Sequence, residues 1–349
     1  MSASAAPPLL HAIRRLAAGA SLTAEESRTA FDAVMSGEAT SAQIAALLVG
    51  LRVKGETPDE VAGAAGALRG AMVHLPADRP EDLVDTCGTG GGAIGTFNIS
   101  TAAALLAAGS GVRIAKHGNR SFTSQCGSAD VLEALGVPIE VPVNVMERAL
   151  REAGIVFMFA PLMHPAMRHV GPVRRELGIP TVMNIVGPLA NPASAGRQVV
   201  GVADARRVPL IAGALLALGT RRALVVHGAP GMDEISPLGS TQVIEIREGR
   251  TTEWTIDPRR FGFSAGREEE LSGGPPADNA AAVRAVLAGD APPTANAAVL
   301  LNAAAAVFVS SSEMTEFGDA LERVRQALGS GAGLSALERL RVAFATPST

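Results

Sequence analysis

The chain has 349 residues, a hydrophobic content of 47% and a formal net charge of −4, with acidic and basic side chains interspersed. This charge pattern argues against nucleic acid or an anionic membrane as a partner, and we expect no apolar run long and unbroken enough to span a bilayer. Cys87 and Cys126 cannot build a disulfide framework, and the N-terminal arginines follow the apolar run, the reverse of a secretory signal. We therefore expect a soluble, cytoplasmic protein with two domains.

The first 75 residues predict four short helices with clear start signals. Thr23, Thr40 and Thr57 each stand three residues before a glutamate or glutamine, which is the spacing of a capping box. Pro58 occupies a first helical position, and Gly55 marks the end of the preceding helix. Because these helices are few and short, we expect them to pack on another part of the protein or on another subunit.

From residue 80 onward, short apolar runs alternate with helical patterns. The runs are LVDTC, VRIAKHG, IVFMFA, QVVGV and RALVVHG, and TQVIEIREGRTTEWTI predicts a strand pair at an edge. Such alternation predicts an α/β domain with a mostly parallel central sheet. The two prolines of HLPADRPEDL favour a break near 75–80, which gives a small all-helical domain at 1–76 and a larger α/β domain at 80–349.

A glycine-rich stretch, DTCGTGGGAIGTFNIST, joins a predicted strand to a predicted helix. Glycines let backbone N–H groups approach an anion, and the helix N-terminus adds its dipole. The following loop, AKHGNRSFTSQCGSADVLEALG, brings Lys116, Arg120 and several hydroxyls to the carboxyl end of the next strand. Neighbouring loops of this kind predict a polyphosphate site. A ligand-free turn and a solvated pair of basic side chains are the alternatives.

A dinucleotide site is a further alternative, because Gly90, Gly92 and Gly95 satisfy G-x-G-x-x-G. The acidic residue expected about 20 positions later is missing, since that region reads IAK. A Walker loop fails because no Gly-Lys-Ser/Thr follows. These observations disfavour a dinucleotide-dependent oxidoreductase.

Several long motifs, in order, resemble the anthranilate phosphoribosyltransferases over nearly the whole chain. They are GTGG at 88–91, TFNIST at 96–101, KHGNR at 116–120, GSADVLEALG at 127–136, HPAMRHVGPVRRELGIPTVMNIVGPLANP at 164–192 and HGAPGMDEIS at 227–236. The resemblance implies a fold of the nucleoside phosphorylase/phosphoribosyltransferase type, with part of 164–192 joining the helical domain. It also implies a homodimer that uses Mg²⁺ to transfer the phosphoribosyl group from phosphoribosyl pyrophosphate to anthranilate, in tryptophan biosynthesis.

The resemblance assigns the site residues to three groups. The implied contacts to phosphoribosyl pyrophosphate are Gly88, Gly91, Gly92, Thr96, Asn98, Ile99, Ser100, Thr101, Lys116, His117, Gly118, Asn119, Arg120, Ser121, Phe122, Thr123, Ser124 and Ser128. The implied contacts to anthranilate are Gly88, Asn119, His164 and Arg174, and the implied metal ligands are Ser100, Asp233 and Glu234. No acid–base residue is implied, and Lys116 and Asn119 would stabilise the leaving pyrophosphate.

The chemistry of these residues agrees with the implied roles. Asp233 and Glu234 follow a predicted strand and offer the hard oxygen ligands that Mg²⁺ prefers, although a solvated turn has the same composition. Arg174 can bind a planar carboxylate with two parallel hydrogen bonds, although VRREL would also suit an exposed helix. The two cysteines fit small buried thiols.

The chain departs from the family at the glycine loop. Position 92 is glycine where the family usually has aspartate, and position 93 is alanine where glycine is common. The missing carboxylate would either tighten phosphate binding or weaken magnesium binding. Two further functions stay open, a pyrimidine nucleoside phosphorylase and a non-catalytic relative that binds nucleic acid or a partner. KHGNR argues against the first, and the acidic balance with the Asp-Glu pair argues against the second.

Overall fold

The computed structural model describes residues 7–121, 125–264 and 266–345. The chain divides into two compact units. The first unit comprises Met1–Val73, Pro161–Pro192 and Pro209–Gly219, and the second comprises His74–Ala160, Ala193–Val208 and Thr220–Thr349.

The described residues contain α-helices, strands and short 3₁₀ turns. In chain order the helices are α1 (Pro8–Ala17), α2 (Ala24–Met35), α3 (Ser41–Lys54), α4 (Pro58–Gly70), α5 (Ile99–Gly109), α6 (Ser128–Ala134), α7 (Val143–Ala153), α8 (Ala160–Met163), α9 (Met167–Leu177), α10 (Val208–Ala217), α11 (Pro276–Ala288), α12 (Pro293–Ser310), α13 (Phe317–Gly329) and α14 (Ala332–Ala345). The strands are β1 (Val84–Gly88), β2 (Ile114–Gly118), β3 (Ile155–Phe159), β4 (Arg197–Gly201), β5 (Arg222–Gly228), β6 (Thr241–Arg247) and β7 (Arg250–Ile256). The 3₁₀ turns are Pro80–Asp82, Val182–Asn184, Gly187–Leu189, Ala205–Arg207, Pro258–Phe261 and Glu268–Leu271.

The first unit is helical, and its predicted capping boxes are confirmed. The hydroxyls of Thr23, Thr40 and Thr57 each accept the backbone N–H three residues on, and the side chain there accepts the backbone N–H of the threonine. Glu60, the glutamate of the Thr57 capping box, also makes contacts outside its own helix. Its carboxylate accepts the N–H of Leu22 and pairs with the side chain of Lys54 at 3.0 Å. A fully buried carboxylate is thereby satisfied, which fixes the start of α4 within the unit.

The second unit is built on one seven-stranded sheet in the order β3-β2-β1-β4-β5-β6-β7. The first five strands in this order are parallel, and β6 and β7 form an antiparallel hairpin on the edge. The predicted α/β architecture with a mostly parallel sheet is confirmed. The apolar strands are buried, as expected for a parallel sheet covered by helices.

The helix α12 is the main buried helix of the second unit. Among the described residues it is the one helix whose length and apolar composition would allow it to cross a membrane, contrary to the expectation from sequence. However, 83% of its residues are buried within the protein, and a core helix passes the same test. Its small alanine side chains let it pack closely against α5 and α13.

The C-terminal end of α12 is capped by three arginines from adjacent strands. Arg197, Arg222 and Arg247 stand in register on β4, β5 and β6, so three like charges lie side by side. Each guanidinium donates to a main-chain carbonyl within 308–312, at 2.7, 2.9 and 2.6 Å respectively. The carbonyls of Phe308 and Val309 lie in the last turn of α12 and carry the negative end of the helix dipole, which offsets the repulsion between the arginines, while that of Ser312 follows the helix end. Arg222 is also paired with Glu245 at 2.8 Å.

Replacing Arg222 with alanine should destabilise the protein strongly. The substitution removes one of the three capping arginines and leaves the carboxylate of Glu245 buried without its partner, so we expect a loss of about 3–5 kcal/mol in the free energy of unfolding. Urea denaturation followed by circular dichroism measures this loss. Arg221→Ala is the matched control, because its half-exposed side chain pairs with Asp82 at 3.5 Å and should contribute about 1 kcal/mol or less. Equal losses in the two variants would contradict the prediction.

Candidate functional site

The sheet places three chemically distinctive loops at one edge of the second unit. In the register, Gly88 at the end of β1 lies opposite Gly201 at the end of β4, and Gly118 at the end of β2 lies opposite Phe159. The glycine loop after β1, the basic loop after β2 and an acidic turn after β5 therefore leave the sheet on the same side. This is where open α/β sheets bind their ligands.

The glycine loop is held at both ends by main-chain hydrogen bonds. The N–H of Thr89 donates to the carbonyl of Gly201, and the N–H of Ala93 donates to the carbonyl of Gly231, both at 2.9 Å. Between these anchors, Gly90 and Gly91 have φ angles of 72° and 78°, which other L-residues rarely adopt. The GTGG motif is thus required by the path of the backbone.

The glycines of this loop also make room for Asp233 of the acidic turn. The N–H of Gly90 donates to Oδ2 of Asp233 at 2.8 Å. A Cβ atom would lie 2.4 Å from Oδ2 of Asp233 if built on Gly88, and 3.3 Å from Oδ1 if built on Gly92. The sequence predicted these glycines as a cradle for a phosphate. In the structure, Gly88 and Gly92 leave space for the carboxylate of Asp233 to approach the backbone.

Asp233 and Glu234 form a half-buried pair of acids. Burial raises the pKa of both carboxyls, and the charge of Asp233 raises the pKa of Glu234 further. The N–H of Ser100 and the hydroxyl of Thr96 donate to Glu234, the latter at 3.4 Å, and both oppose this shift. The two negative charges are therefore destabilised where they stand, and a cation would relieve them.

The donor set of this acidic pair fits a magnesium ion. Within the described residues, no group of three or more His, Cys, Asp or Glu side chains could hold a metal by itself. Mg²⁺ commonly takes only one or two carboxylates from the protein and completes its shell with water and substrate phosphates. Asp233 and Glu234 supply two carboxylates, and Ser100 lines the same small cavity.

Lys116 is buried beneath the first turn of α5. Its ammonium group donates to the carbonyl of Thr86 and to Oγ of Ser100, the second at 3.3 Å. Burial lowers the pKa of Lys116, while the nearby acids Asp85 and Glu234 oppose this shift. The sequence predicted this lysine at the carboxyl end of a strand, and the structure places its charge under the proposed metal ligand Ser100.

Asn98 connects the glycine loop to two other segments. Its Nδ2 donates to the carbonyl of Cys126 at 3.1 Å, and its Oδ1 accepts from Nδ2 of Asn279 in α11 at 2.9 Å. Asn279 is fully buried and was not predicted from the sequence. Asn98 and the adjacent predicted residues Ile99 and Thr101 thus face into the protein. Ile99 is buried, and the buried hydroxyl of Thr101 has no hydrogen-bond partner among the described residues.

The basic loop after β2 is organised by Asp130, which the sequence analysis did not single out. Its carboxylate accepts N–H groups of Gly127 and Ser121 at 2.8 and 3.2 Å, and it pairs with Arg120 at 2.8 Å. Although burial opposes the effect, these bonds lower the pKa of Asp130. Arg120 also pairs with Glu133 of α6, so its charge is directed at α6 in this structure.

The other predicted residues of the basic loop lie close together. Oδ1 of Asn119 accepts the N–H of Arg120 at 2.7 Å, and the hydroxyl of Ser128 donates to the carbonyl of Asn119 at 3.3 Å. A Cβ on Gly118 would lie 2.2 Å from Oγ of Ser128, so this glycine is required by close packing. His117 is buried in β2. Three more predicted contacts, Phe122, Thr123 and Ser124, lie outside the described residues.

Two predicted anthranilate contacts, His164 and Arg174, belong to the first unit. His164 is buried, and burial lowers its pKa to about 4, although a hydrogen bond to Ala190 opposes the shift. The imidazole is therefore neutral at pH 7. Arg174 lies on α9 with its side chain half-buried, and burial lowers the pKa of its guanidinium. A partly desolvated guanidinium suits a planar carboxylate.

The chain matches two family descriptions that together cover most of its length. Residues 80–334 match the glycosyl transferase family, a/b domain, and residues 10–72 match the glycosyl transferase family, helical bundle domain. The first match contains the strands β1 to β7, and the second contains the N-terminal helices α2, α3 and α4.

Curated relatives and solved structures agree with these matches. The anthranilate phosphoribosyltransferase of Herpetosiphon aurantiacus is 49% identical over 91% of this chain and 94% of its own length, and that of Roseiflexus castenholzii is 48% identical over 95% and 97%. The crystal structure of the Thermus thermophilus enzyme has a TM-score of 0.90 at 41% identity, covering 96% of this chain and 99% of that chain. The Saccharomyces cerevisiae enzyme in complex with phosphoribosyl pyrophosphate and Mg has a TM-score of 0.86 at 26% identity, with coverages of 96% and 97%. Sequence and fold together show that the chain belongs to the anthranilate phosphoribosyltransferase family.

Proposed function

We propose that this protein transfers the phosphoribosyl group from phosphoribosyl pyrophosphate to anthranilate, giving N-(5-phosphoribosyl)anthranilate and pyrophosphate in tryptophan biosynthesis. Family membership supports the reaction. The solved yeast relatives support the substrates, because one is in complex with phosphoribosyl pyrophosphate and Mg and another with 4-fluoroanthranilate. The observation that carries the proposal in this chain is the acidic pair against the glycine loop, with Lys116 beneath Ser100.

The main chemical demand is the departure of pyrophosphate. Breaking the bond between C1 of ribose and the pyrophosphate oxygen leaves negative charge on the leaving group. Asp233, Glu234 and Ser100 would hold Mg²⁺, which when bound supplies positive charge to the pyrophosphate. Lys116 adds a fixed positive charge under Ser100, and Asn119 belongs to the loop that would enclose the phosphates. The remaining predicted phosphoribosyl pyrophosphate contacts keep that role as part of the proposal.

The attacking group needs orientation more than activation. The arylamine of anthranilate is uncharged at neutral pH and carries its own lone pair, so a strong general base is not required. We propose that Arg174 binds the anthranilate carboxylate and that neutral His164 contacts the ring. Gly88 and Asn119 remain predicted contacts to anthranilate. Positioning of this kind can supply much of the rate acceleration.

We further propose a homodimer in the cytoplasm and a helical domain of residues 1–76 joined by part of 164–192. The first compact unit supports the helical part of this division, because it contains Met1–Val73 together with Pro161–Pro192, and it also includes Pro209–Gly219 from the proposed α/β domain. The α/β domain would then span 80–349. The two cysteines, too few for a disulfide framework, support the location.

Anthranilate fluorescence provides the direct test of the reaction. Purified protein with phosphoribosyl pyrophosphate, Mg²⁺ and anthranilate should consume the fluorescent substrate, and each omission should stop its loss. A parallel assay with inorganic phosphate and a pyrimidine nucleoside tests the phosphorylase alternative. Activity in the second assay alone would overturn the proposed function.

Arg174→Ala should weaken anthranilate binding. Losing a partly desolvated charge pair should cost about 2–5 kcal/mol of apparent affinity, so the KM for anthranilate should rise steeply. Steady-state kinetics at saturating phosphoribosyl pyrophosphate measure the change. Arg175→Ala is the matched control, because this adjacent arginine is exposed and should leave the KM for anthranilate nearly unchanged. An unchanged KM in Arg174→Ala would exclude the assigned role.

Gly92→Asp should alter the magnesium dependence of the rate. The new side chain would begin slightly closer than van der Waals contact to Oδ1 of Asp233, since a Cβ on Gly92 lies 3.3 Å away and the carboxylate would shift by a few tenths of an ångström. A third carboxylate should lower the Mg²⁺ concentration at half-maximal rate by a factor on the order of ten. Gly92→Ala adds the same Cβ without the charge and should stay close to the parent protein. Superimposable magnesium titrations of Gly92→Asp and the parent would refute the expectation.

A further inference from the structure

The middle of α12 contains a buried asparagine that bonds the acidic turn. Asn302 stands in the apolar run LLNAAAAVF, and only 6% of its surface is exposed. Its Oδ1 accepts the N–H of Ile235 at 2.9 Å, and its Nδ2 donates to the carbonyl of the same residue at 2.8 Å. Nδ2 also donates to the carbonyl of Ala298 at 2.9 Å, which fixes the orientation of the amide on its own helix.

This double hydrogen bond acts directly beside the two carboxylates. Ile235 follows Asp233 and Glu234 without an intervening residue, so fixing both its main-chain groups fixes the peptide that leaves Glu234. Asn302 also lines the same small cavity as the two acids and Ser100. The N–H of Ile235 belongs to the peptide that joins it to Glu234, and its carbonyl belongs to the peptide that joins it to Ser236. The amide of Asn302 therefore fixes the orientation of both peptides.

Two glycines complete the support of the turn from the side of the sheet. A Cβ on Gly201 would lie 1.5 Å from the carbonyl oxygen of Asp233, and one on Gly228 would lie 2.4 Å from that of Glu234. The main chain of the turn therefore packs directly against Gly201 and Gly228, the glycines that end β4 and β5. Asn302 is the side chain that holds it there from the helix layer.

We propose that Asn302 is a positioning residue for the carboxylate pair and thereby sets the affinity of the site for a divalent cation. The two acids repel each other in a half-buried position, so without a bound cation this repulsion acts to open the turn. The hydrogen bonds from Asn302 oppose that opening and keep both carboxylates beside Ser100. This role rests on the proposed metal site but does not require turnover.

The test compares Asn302→Leu with the parent protein and with Asn296→Leu. Leucine is close in size to asparagine and removes the hydrogen bonds. Asn296 lies on the same helix, and its amide donates to the carbonyl of Ala291 at 2.7 Å, so it controls for replacing a helix asparagine elsewhere. Asn302→Ser is a milder variant that shortens the side chain and carries the same test should Asn302→Leu fold poorly.

Binding of Mn²⁺ alone, measured by electron paramagnetic resonance with neither substrate present, gives a readout that is independent of activity. We expect the dissociation constant for Mn²⁺ to rise about tenfold in Asn302→Leu and to stay within about twofold in Asn296→Leu. In the anthranilate assay, the Mg²⁺ concentration at half-maximal rate should rise by a similar factor in Asn302→Leu. Saturating Mg²⁺ should restore kcat to within about twofold of the parent.

The possible results distinguish a role of Asn302 in positioning the carboxylates from a general contribution to the stability of the fold. If Asn302 only stabilises the protein, kcat would fall and excess Mg²⁺ would not restore it, while Mn²⁺ binding by the folded variant would be unchanged. That result would overturn the inference. If the parent protein fails to consume anthranilate, the proposed function fails, and the Mn²⁺ comparison still decides the role of Asn302.

Discussion

The close approach of Asp233 to bare backbone is the constraint on which the site depends. Its carboxylate lies against the glycine loop and its main chain against Gly201, where even one methyl group would collide. A carboxylate placed this way keeps little hydration, which raises its pKa, and receives an N–H group from Gly90 in compensation. The glycines of the loop therefore shape the cation site as well as any phosphate site, so the two cannot be altered independently.

The helix α12 links this site to the stability of the second unit. Its middle holds the acidic turn through Asn302, and its C-terminal end is capped by the arginines of β4, β5 and β6. The capping arginines stand at the opposite end of the strands from the ligand loops, because β4 and β5 begin with Arg197 and Arg222. The same buried helix therefore bonds the starts of β4 and β5 at its C-terminal end and the acidic turn after β5 at its middle. Most side chains of α12 are apolar, so Asn302, the asparagine that bonds the turn, differs clearly from its neighbours on the helix.

Local patterns in the sequence predicted the fold and the outline of the site. Capping boxes, apolar strand runs and the loop motifs each report on neighbours within a few residues, and the strands and helix starts followed them. What the patterns could not supply were partners far apart in the chain. Asn279 meets Asn98 across 181 positions, and Asn302 meets Ile235 across 67. An asparagine within an alanine-rich helix was a visible signal, but only the packing shows which peptide it bonds.

Burial also gives some residues that were identified from the sequence an environment that the sequence did not indicate. Lys116 belongs to a motif predicted to follow a strand, but the strand continues through Gly118 and places its side chain under α5. There its charge lies near the buried acids Asp85 and Glu234. The absence of an acid at position 92 leaves Asp233 and Glu234 as the two carboxylates beside the glycine loop. A third acid would bind a cation more tightly but would add repulsion whenever the cation leaves. With Gly92 the cation-free site carries less repulsion between carboxylates, and the hydrogen bonds from Gly90 to Asp233 and between Asn302 and Ile235 hold the acidic turn in place.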